Sequence, residues 1–265
     1  MPALTQLSIV LPVINERDNL AELIPELCNA LSPALEALEI IVVDDSSTDG
    51  TDLLLASLVE KDTRVRYILR SGKKPSLPDS LSDGIDAASF DYVAWMDADG
   101  SMPPASLVDL INAFRNSTEN DPIVVGSRYV PGGGFKGVEI VGETSALQLV
   151  RNLRDSHDSL AAVLLSRLLN RYLWLALGRS CHDLASGFVI ASKQNVIQIG
   201  LVGSYGDYCV RFIYFAHQIG YRIIEVPYVC QLRRYGYSKT GTTLWGLIKR
   251  GLPYVVLPLR IRKAD

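Results

Sequence analysis

Two carboxylates, Asp97 and Asp99, stand one small residue apart at the end of the short apolar run Tyr92-Val-Ala-Trp-Met96. A run that short, closed by turn formers, predicts a strand rather than a helix. In an open α/β sheet, ligands bind outside the carboxyl ends of the strands. Acids at i and i+2 on such an end, where the chain starts to turn, can face one cation. Magnesium and manganese take oxygen ligands, usually one or two carboxylates, and complete their shell with water and substrate phosphates. The chemistry these residues suit is therefore a metal–diphosphate site. They suit equally a solvated turn or a helix N-cap, because Asp and Ser are common there and Pro103 fits a first helical turn. An Asp-x-Asp pair alone does not choose between these, so the elements around it must.

Those elements alternate. Leu7–Leu11 is a buried strand ending at Pro12, and Asn15 is placed to cap a helix carrying Leu20, Leu23, Ile24, Leu27 and Leu31 at helical spacing. Glu39–Val43 is a second strand, running out in Asp44-Asp45-Ser-Ser-Thr-Asp-Gly50 before a helix over Leu53–Val59. Val65–Leu69 is a third strand, followed by a basic, proline-containing loop from Arg70 to Pro78 and a helix around Leu81–Ala88. After the Asp97 strand come a helix over Pro104–Arg115 and a strand over Ile123–Gly126. Strand–helix alternation predicts a parallel, helix-covered sheet with right-handed crossovers. The notable polar residues all fall just after strands.

Beyond residue 126 the texture changes. A glycine-rich loop at Gly132–Gly134 opens a stretch, 130–158, read as a possible mobile insertion. Leu160–Leu177 is a leucine-rich helix, Phe188–Ala191 a strand, and Tyr208–Ile219 a helix. Tyr221–Leu232 holds one or two strands broken at Pro227. The tail, Leu244–Arg262, is apolar but interrupted by Lys249, Arg250, Pro253, Pro258 and Arg260, so it cannot span a bilayer. It suits either the membrane interface, with basic residues on anionic headgroups, or a final helix packed on the sheet.

The chain of 265 residues is long enough for a full core. A net charge of −3 excludes a general nucleic-acid binder. Four widely spaced Cys without a C-x-x-C pair predict reduced, buried thiols and a cytoplasmic setting. The N-terminus has no basic leader ahead of its first strand and predicts no signal peptide. Three scattered His do not make a zinc site.

Five stretches, in order and at fitting spacing, resemble family 2 glycosyltransferases and, within them, the dolichyl-phosphate mannosyltransferase-like group. They are Leu11-Pro-Val-Ile-Asn-Glu-Arg-Asp-Asn-Leu20, Val42-Val-Asp-Asp-Ser-Ser-Thr-Asp-Gly-Thr51, Trp95-Met-Asp-Ala-Asp-Gly-Ser-Met-Pro-Pro104, Val125-Gly-Ser-Arg-Tyr-Val-Pro-Gly-Gly133 and Arg233-Arg-Tyr-Gly-Tyr-Ser-Lys239. The resemblance implies a GT-A fold, an α/β architecture with a mostly parallel Rossmann-like sheet covered by helices. It implies a catalytic domain over 1–240, with a nucleotide-sugar half (1–126) and an acceptor half (127–240), and an amphipathic membrane-interface tail over 241–265. Residue by residue, it implies that Pro12, Asn15 and Glu16 line the nucleoside, that Asp44 and Asp45 contact base and ribose, and that Asp97 and Asp99 hold magnesium or manganese. Ala98 and Lys74 belong to the expected donor-nucleotide set, with Lys73 or Lys74 the residue expected to reach the diphosphate. Ser101 occupies the next ligand position, where a neutral hydroxyl ligates weakly. Arg128 falls near the acceptor phosphate, and Arg234, Ser238 and Lys239 form a group closing over phosphates. The loop Gly72-Lys-Lys-Pro-Ser-Leu-Pro78 departs from the family's glycine-rich form and has lost amide donors. Asp207 either contacts the donor sugar or starts the helix there.

The expected reaction is inverting transfer of a hexose from a nucleotide diphosphate sugar to a polyprenyl or dolichyl phosphate, by an enzyme peripheral on the inner face of the cell membrane. GDP-mannose is the first candidate donor, with UDP-glucose open. The rivals are a family 2 transferase with a soluble or polysaccharide acceptor and a non-catalytic nucleotide-binding membrane protein. A sugar nucleotidyltransferase would want a glycine-rich, arginine-containing loop where Pro12-Val-Ile-Asn-Glu16 stands.

Overall fold

The structure is a computed structural model describing residues 4–135, 138–139, 160–204, 206–236 and 244–261. Its first half runs β1 (Gln6–Val13), α1 (Arg17–Leu31), β2 (Ala37–Asp44), α2 (Thr51–Lys61), β3 (Val65–Leu69), α3 (Leu77–Ala87), β4 (Tyr92–Trp95), α4 (Pro104–Asn116) and β5 (Ile123–Ser127). Two short strands, β6 (Gly134–Phe135) and β7 (Val138–Glu139), precede α5 (Leu160–Ala176). The rest is β8 (Val189–Ser192), α6 (Lys193–Ile199), α7 (Asp207–Gln218), β9 (Ile223–Pro227), β10 (Val229–Cys230) and α8 (Leu244–Ile261).

The main sheet has the order β3-β2-β1-β4-β8-β5-β9. Period-2 alternation sorts its side chains between two cores. Ile9, Leu11, Ile40 and Val42 face α1 and α4, while Val10, Ile41, Val43 and Trp95 face the core that α3 and α7 complete. Burial on both faces explains the near-continuous apolar strands. This is the mostly parallel, helix-covered α/β sheet expected of a GT-A fold. One strand departs from the parallel rule. β8, supplied from beyond residue 127, runs antiparallel between β4 and β5. Both sequence halves therefore share one sheet, and β5 is not a neighbour of β4. The helix α6 has no counterpart in the sequence reading. At seven residues it shows no full apolar period, and only Ser192, whose hydroxyl accepts from the Asn195 N–H at 3.2 Å, marks its start.

Asn15 does not cap α1, whose N-cap is Glu16. Asn15 sits instead at φ 55°, a left-handed conformation that Asn tolerates. Its side chain accepts from the Thr48 N–H at 2.7 Å, tying the end of β1 to the loop after β2. The tail is a helix, α8, whose Leu257 and Ile261 are buried in the α3–α7 core. The Tyr172 hydroxyl of α5 donates to the Val255 carbonyl at 2.8 Å. Among the described residues no helix is long and apolar enough to cross a membrane. All four cysteines are buried and unbridged.

Helix α3 approaches β1 and β2 through Gly84. A Cβ there would stand 2.9 Å from Val43 Cγ2 and closer still to Val10 Cγ1. Since overpacking a filled core costs about 1–3 kcal/mol, Gly84→Ala is expected to lower the urea midpoint by that equivalent with the slope unchanged. An unaltered midpoint would show that α3 has room to retreat.

Candidate active site

The chain leaves β1 toward β2 and β3 on one side, then returns to β4 on the other. That reversal is a topological switch point, where the loops beyond adjacent strands diverge and leave a crevice. A cleft of about 380 Å³ opens there. Pro12 and Glu16 reach it from β1, Asp45 from β2, and Asp97, Ala98 and Asp99 from β4. Six of the residues singled out in the sequence are thus brought to one wall-to-wall site by three strand ends.

The β2 side is rigid. Asp45 accepts from the Arg70 guanidinium at 2.8 Å, from the Ser76 N–H at 2.6 Å and from the Ser80 hydroxyl at 3.1 Å. Arg70, only 3% exposed, also pairs with Asp83 at 2.8 Å. Sequence reading left Arg70 as a loop residue, although a basic side chain directly after a strand opposite Asp45 was the available signal. Asp44 does not line the cleft. Its carboxylate accepts from the Ser47 N–H at 3.0 Å and hydroxyl at 2.5 Å, which shapes the turn that carries Asp45. Lys74 is exposed beside Pro75, Ser76 and Leu77, which do line the cleft.

On the β4 side, Gly100 at φ +77° lets the turn after Asp99 close. A Cβ there would meet the Arg234 side chain at 2.8 Å. Asp99 Oδ1 accepts from the Ser101 N–H at 3.0 Å. Ser101 itself is buried outside the cleft lining, and its carbonyl accepts from the Gln231 N–H at 2.8 Å. Asp97 faces cleft water on one side and is walled by protein elsewhere. Those walls first, and then the Asp99 charge, raise its carboxyl pKa, while Arg128 and Arg233 pull it back. Water on the open side limits the size of that rise. Among the described residues no group of three or more His, Cys, Asp or Glu side chains is arranged to hold a metal. Two carboxylates are nevertheless the donor set a magnesium or manganese ion accepts when phosphates and water supply the rest.

Of the two adjacent arginines, Arg233 turns inward and lines the cleft. Its guanidinium pairs with Glu16 and donates to Asp99 Oδ2 at 3.3 Å. Arg234 turns outward and pairs bidentately with Glu26 at 2.6 and 2.7 Å. Ser238 and Lys239 lie outside the described residues, as does most of the 130–158 stretch. Asp207 opens α7, where its carboxylate accepts from the Ser204 N–H at 2.9 Å, and only Ser204 lines the cleft.

Arg128 is not among the residues lining this cleft. It pairs bidentately with the fully buried Asp183, both bonds at 2.7 Å, and its own N–H donates to the same carboxylate. Burial works against its charge, but Asp183 more than compensates and holds its pKa well above the ordinary value. Beside it Tyr129, Arg167, Arg171, Trp174 and His182 line a second cleft of about 360 Å³, basic and aromatic in character. The arrangement as a whole offers an acidic cleft suited to hydroxyls and a cation, flanked by a basic region suited to an anion.

The family described as glycosyl transferase family 2 matches residues 8–198. The polyprenol monophosphomannose synthase of Mycolicibacterium smegmatis is 29% identical over 238 residues, 87% of this chain and 79% of that protein. The dolichol-phosphate mannosyltransferase of Pyrococcus furiosus is 36% identical over 161 residues, covering 57% of this chain and 44% of its own. Among solved structures, glucosyl-3-phosphoglycerate synthase from Mycobacterium tuberculosis with magnesium and uridine diphosphate superposes at TM-score 0.65 and 16% identity, over 97% of this chain and 80% of that one. The same enzyme with manganese, UDP-glucose and phosphoglyceric acid gives 0.64 and 18%, with the same coverage. With its GT-A sheet and a family match over most of its length, this chain belongs to glycosyl transferase family 2.

Proposed function

We propose that the chain transfers a hexose from a nucleotide diphosphate sugar to a polyprenyl phosphate at the inner membrane surface, with GDP-mannose the first donor to test. The observation that carries this reading is the convergence of Glu16, Asp45, Asp97 and Asp99 from three strand ends on one cleft. The names of the two relatives, one a polyprenol and one a dolichol-phosphate enzyme, supply the acceptor class.

In this reading Pro12, Glu16 and Asp45 hold the nucleoside, and Asn15 and Asp44 set the loops that carry them. Glu16 is suited to ribose hydroxyls because a carboxylate accepts from both. Ala98 and Lys74 flank the diphosphate. Asp97 and Asp99, with Ser101 supporting Asp99 through its N–H, would hold a magnesium or manganese ion, which supplies charge neutralisation on the leaving diphosphate. A phosphate oxygen of the acceptor attacks the anomeric carbon, and the bond to the diphosphate oxygen breaks on the opposite face. That oxygen is already ionised near neutral pH, so no side chain needs to remove a proton. The protein's contribution is alignment and electrostatics. Arg128, whose guanidinium Asp183 holds in place, is the proposed contact for the acceptor phosphate. Ser238 and Lys239 are proposed as phosphate contacts, whereas Arg234, turned out onto Glu26, is not.

The acceptor's lipid requires the enzyme at a bilayer. Leu252, Val255 and Leu259 of α8 and Leu168 and Leu175 of the adjoining α5 are exposed. The same two helices carry Arg167, Arg171 and Arg260, and exposed leucines with basic residues on the same helices are the composition of an interfacial helix pair.

The direct test is transfer of labelled mannose from GDP-mannose to polyprenyl phosphate in detergent. Asp99→Ala is expected to lower the rate at least about a hundredfold while the circular dichroism spectrum is kept. Transfer only to a soluble acceptor would refute the lipid assignment, and full Asp99→Ala activity in excess chelator would refute the cation's role. For the membrane face, Leu252→Asp with Leu259→Asp is expected to cut co-sedimentation with phosphatidylglycerol vesicles by about tenfold or more. Unchanged sedimentation would place the docking surface elsewhere.

A further inference from the structure

Arg233 holds an unusual position for a basic residue in a cleft built to receive a cation. Its guanidinium bridges Glu16, beyond the end of β1, and Asp99, beyond the end of β4. Its Nε donates to the Tyr235 carbonyl at 2.9 Å, and the side chain is only 18% exposed. The backbone beneath it is anchored independently. The Arg234 N–H donates to the Asp99 carbonyl at 3.2 Å, the Gln231 N–H to the Ser101 carbonyl, and the Tyr235 N–H to Asn19 Oδ1 at 3.1 Å. Outside the cleft, the Tyr235 hydroxyl donates to Glu22 at 2.6 Å and Arg234 clasps Glu26. Rotation of the Arg233 side chain alone can therefore break its bridge while the segment stays docked on α1.

The two carboxylates that Arg233 joins are the ones assigned above to ribose and to the cation, so this inference rests on that reading of the cleft. A guanidinium and a divalent ion compete for the same Asp99 carboxylate, through Oδ2, and a diphosphate is a better partner for a planar guanidinium fork than a single carboxylate oxygen. We propose that Arg233 is an exchangeable internal counter-ion. With no donor bound it offsets part of the charge that Glu16 and Asp99 share. When cation and nucleotide take those carboxylates, it swings onto the diphosphate. It thereby acts as a positioning residue that favours binding of the cation together with the donor over binding of the cation alone.

The signature is a pair of opposite shifts, which loss of a merely structural residue would not produce. Manganese titrations of the full-length chain, followed by the electron paramagnetic resonance of the free ion, should show Arg233→Gln binding manganese alone about fivefold more tightly than wild type. The same variant should bind GDP in saturating manganese several-fold more weakly. Arg233→Lys keeps the charge but reaches one carboxylate, and its manganese affinity should fall between the two. Unchanged or weaker manganese binding by Arg233→Gln with an unchanged melting curve would overturn the proposal, as would a lysine variant equal to wild type beside a tighter glutamine variant. If wild type binds GDP and manganese while these variants do not shift, only this inference falls. If wild type binds neither, the reading of the cleft falls with it.

Discussion

Like charge gathered in one place is the constraint on which the site depends. Glu16, Asp45, Asp97 and Asp99 line one cleft, and carboxylates that share a cleft are favoured by nearby positive charge. The structure supplies it in two ways. On the β2 side compensation is permanent, since Arg70 is buried and bound to Asp45 and Asp83, and Ser76 and Ser80 complete the shell. That carboxylate is fixed as part of the wall. On the β4 side compensation comes from Arg233 at the cleft surface, held by longer and more exposed contacts to Asp99. The division separates a wall held by buried pairs from a region held by looser ones, where the proposed exchange of partners takes place.

The fold produces this convergence through its strand order. β1 lies between β2 and β4, so the three acidic strand ends are neighbours although they are far apart in sequence. The antiparallel strand β8 then brings the Asp183–Gly187 stretch alongside, and with it the carboxylate that locks Arg128. One sheet thus holds the acids of the cleft and Arg128 in fixed relation, which is what alignment of the proposed donor and acceptor requires.

Much of this was legible in the sequence because it is local. The apolar runs before Pro12, Asp44 and Asp97 fixed the strands, and polar residues at their ends marked the mouth of the cleft. What was not legible is pairing at a distance. No local pattern shows that β8 inserts between β4 and β5, or that Arg128 is bound to Asp183, fifty-five residues away. The two consecutive arginines are the sharpest case. Arg233 and Arg234 have the same chemistry and adjacent positions, and only the turn at the docked segment decides that one enters the cleft while the other meets Glu22 and Glu26 on α1. Asn15 and Asp44 likewise looked like cap and contact residues. Each shapes a loop instead, because the short side chains of Asn and Asp bond readily to nearby backbone.

The central claim is that Asp97 and Asp99 hold the donor's cation at the place where Arg233 now meets Asp99. Anomalous diffraction from crystals grown with manganese and GDP tests it most directly. The account predicts a manganese peak within ligand distance of both Asp97 and Asp99, with the Arg233 guanidinium withdrawn from Asp99 toward the diphosphate. A peak away from these carboxylates, or a nucleotide bound with the Arg233–Asp99 pair intact, would contradict it.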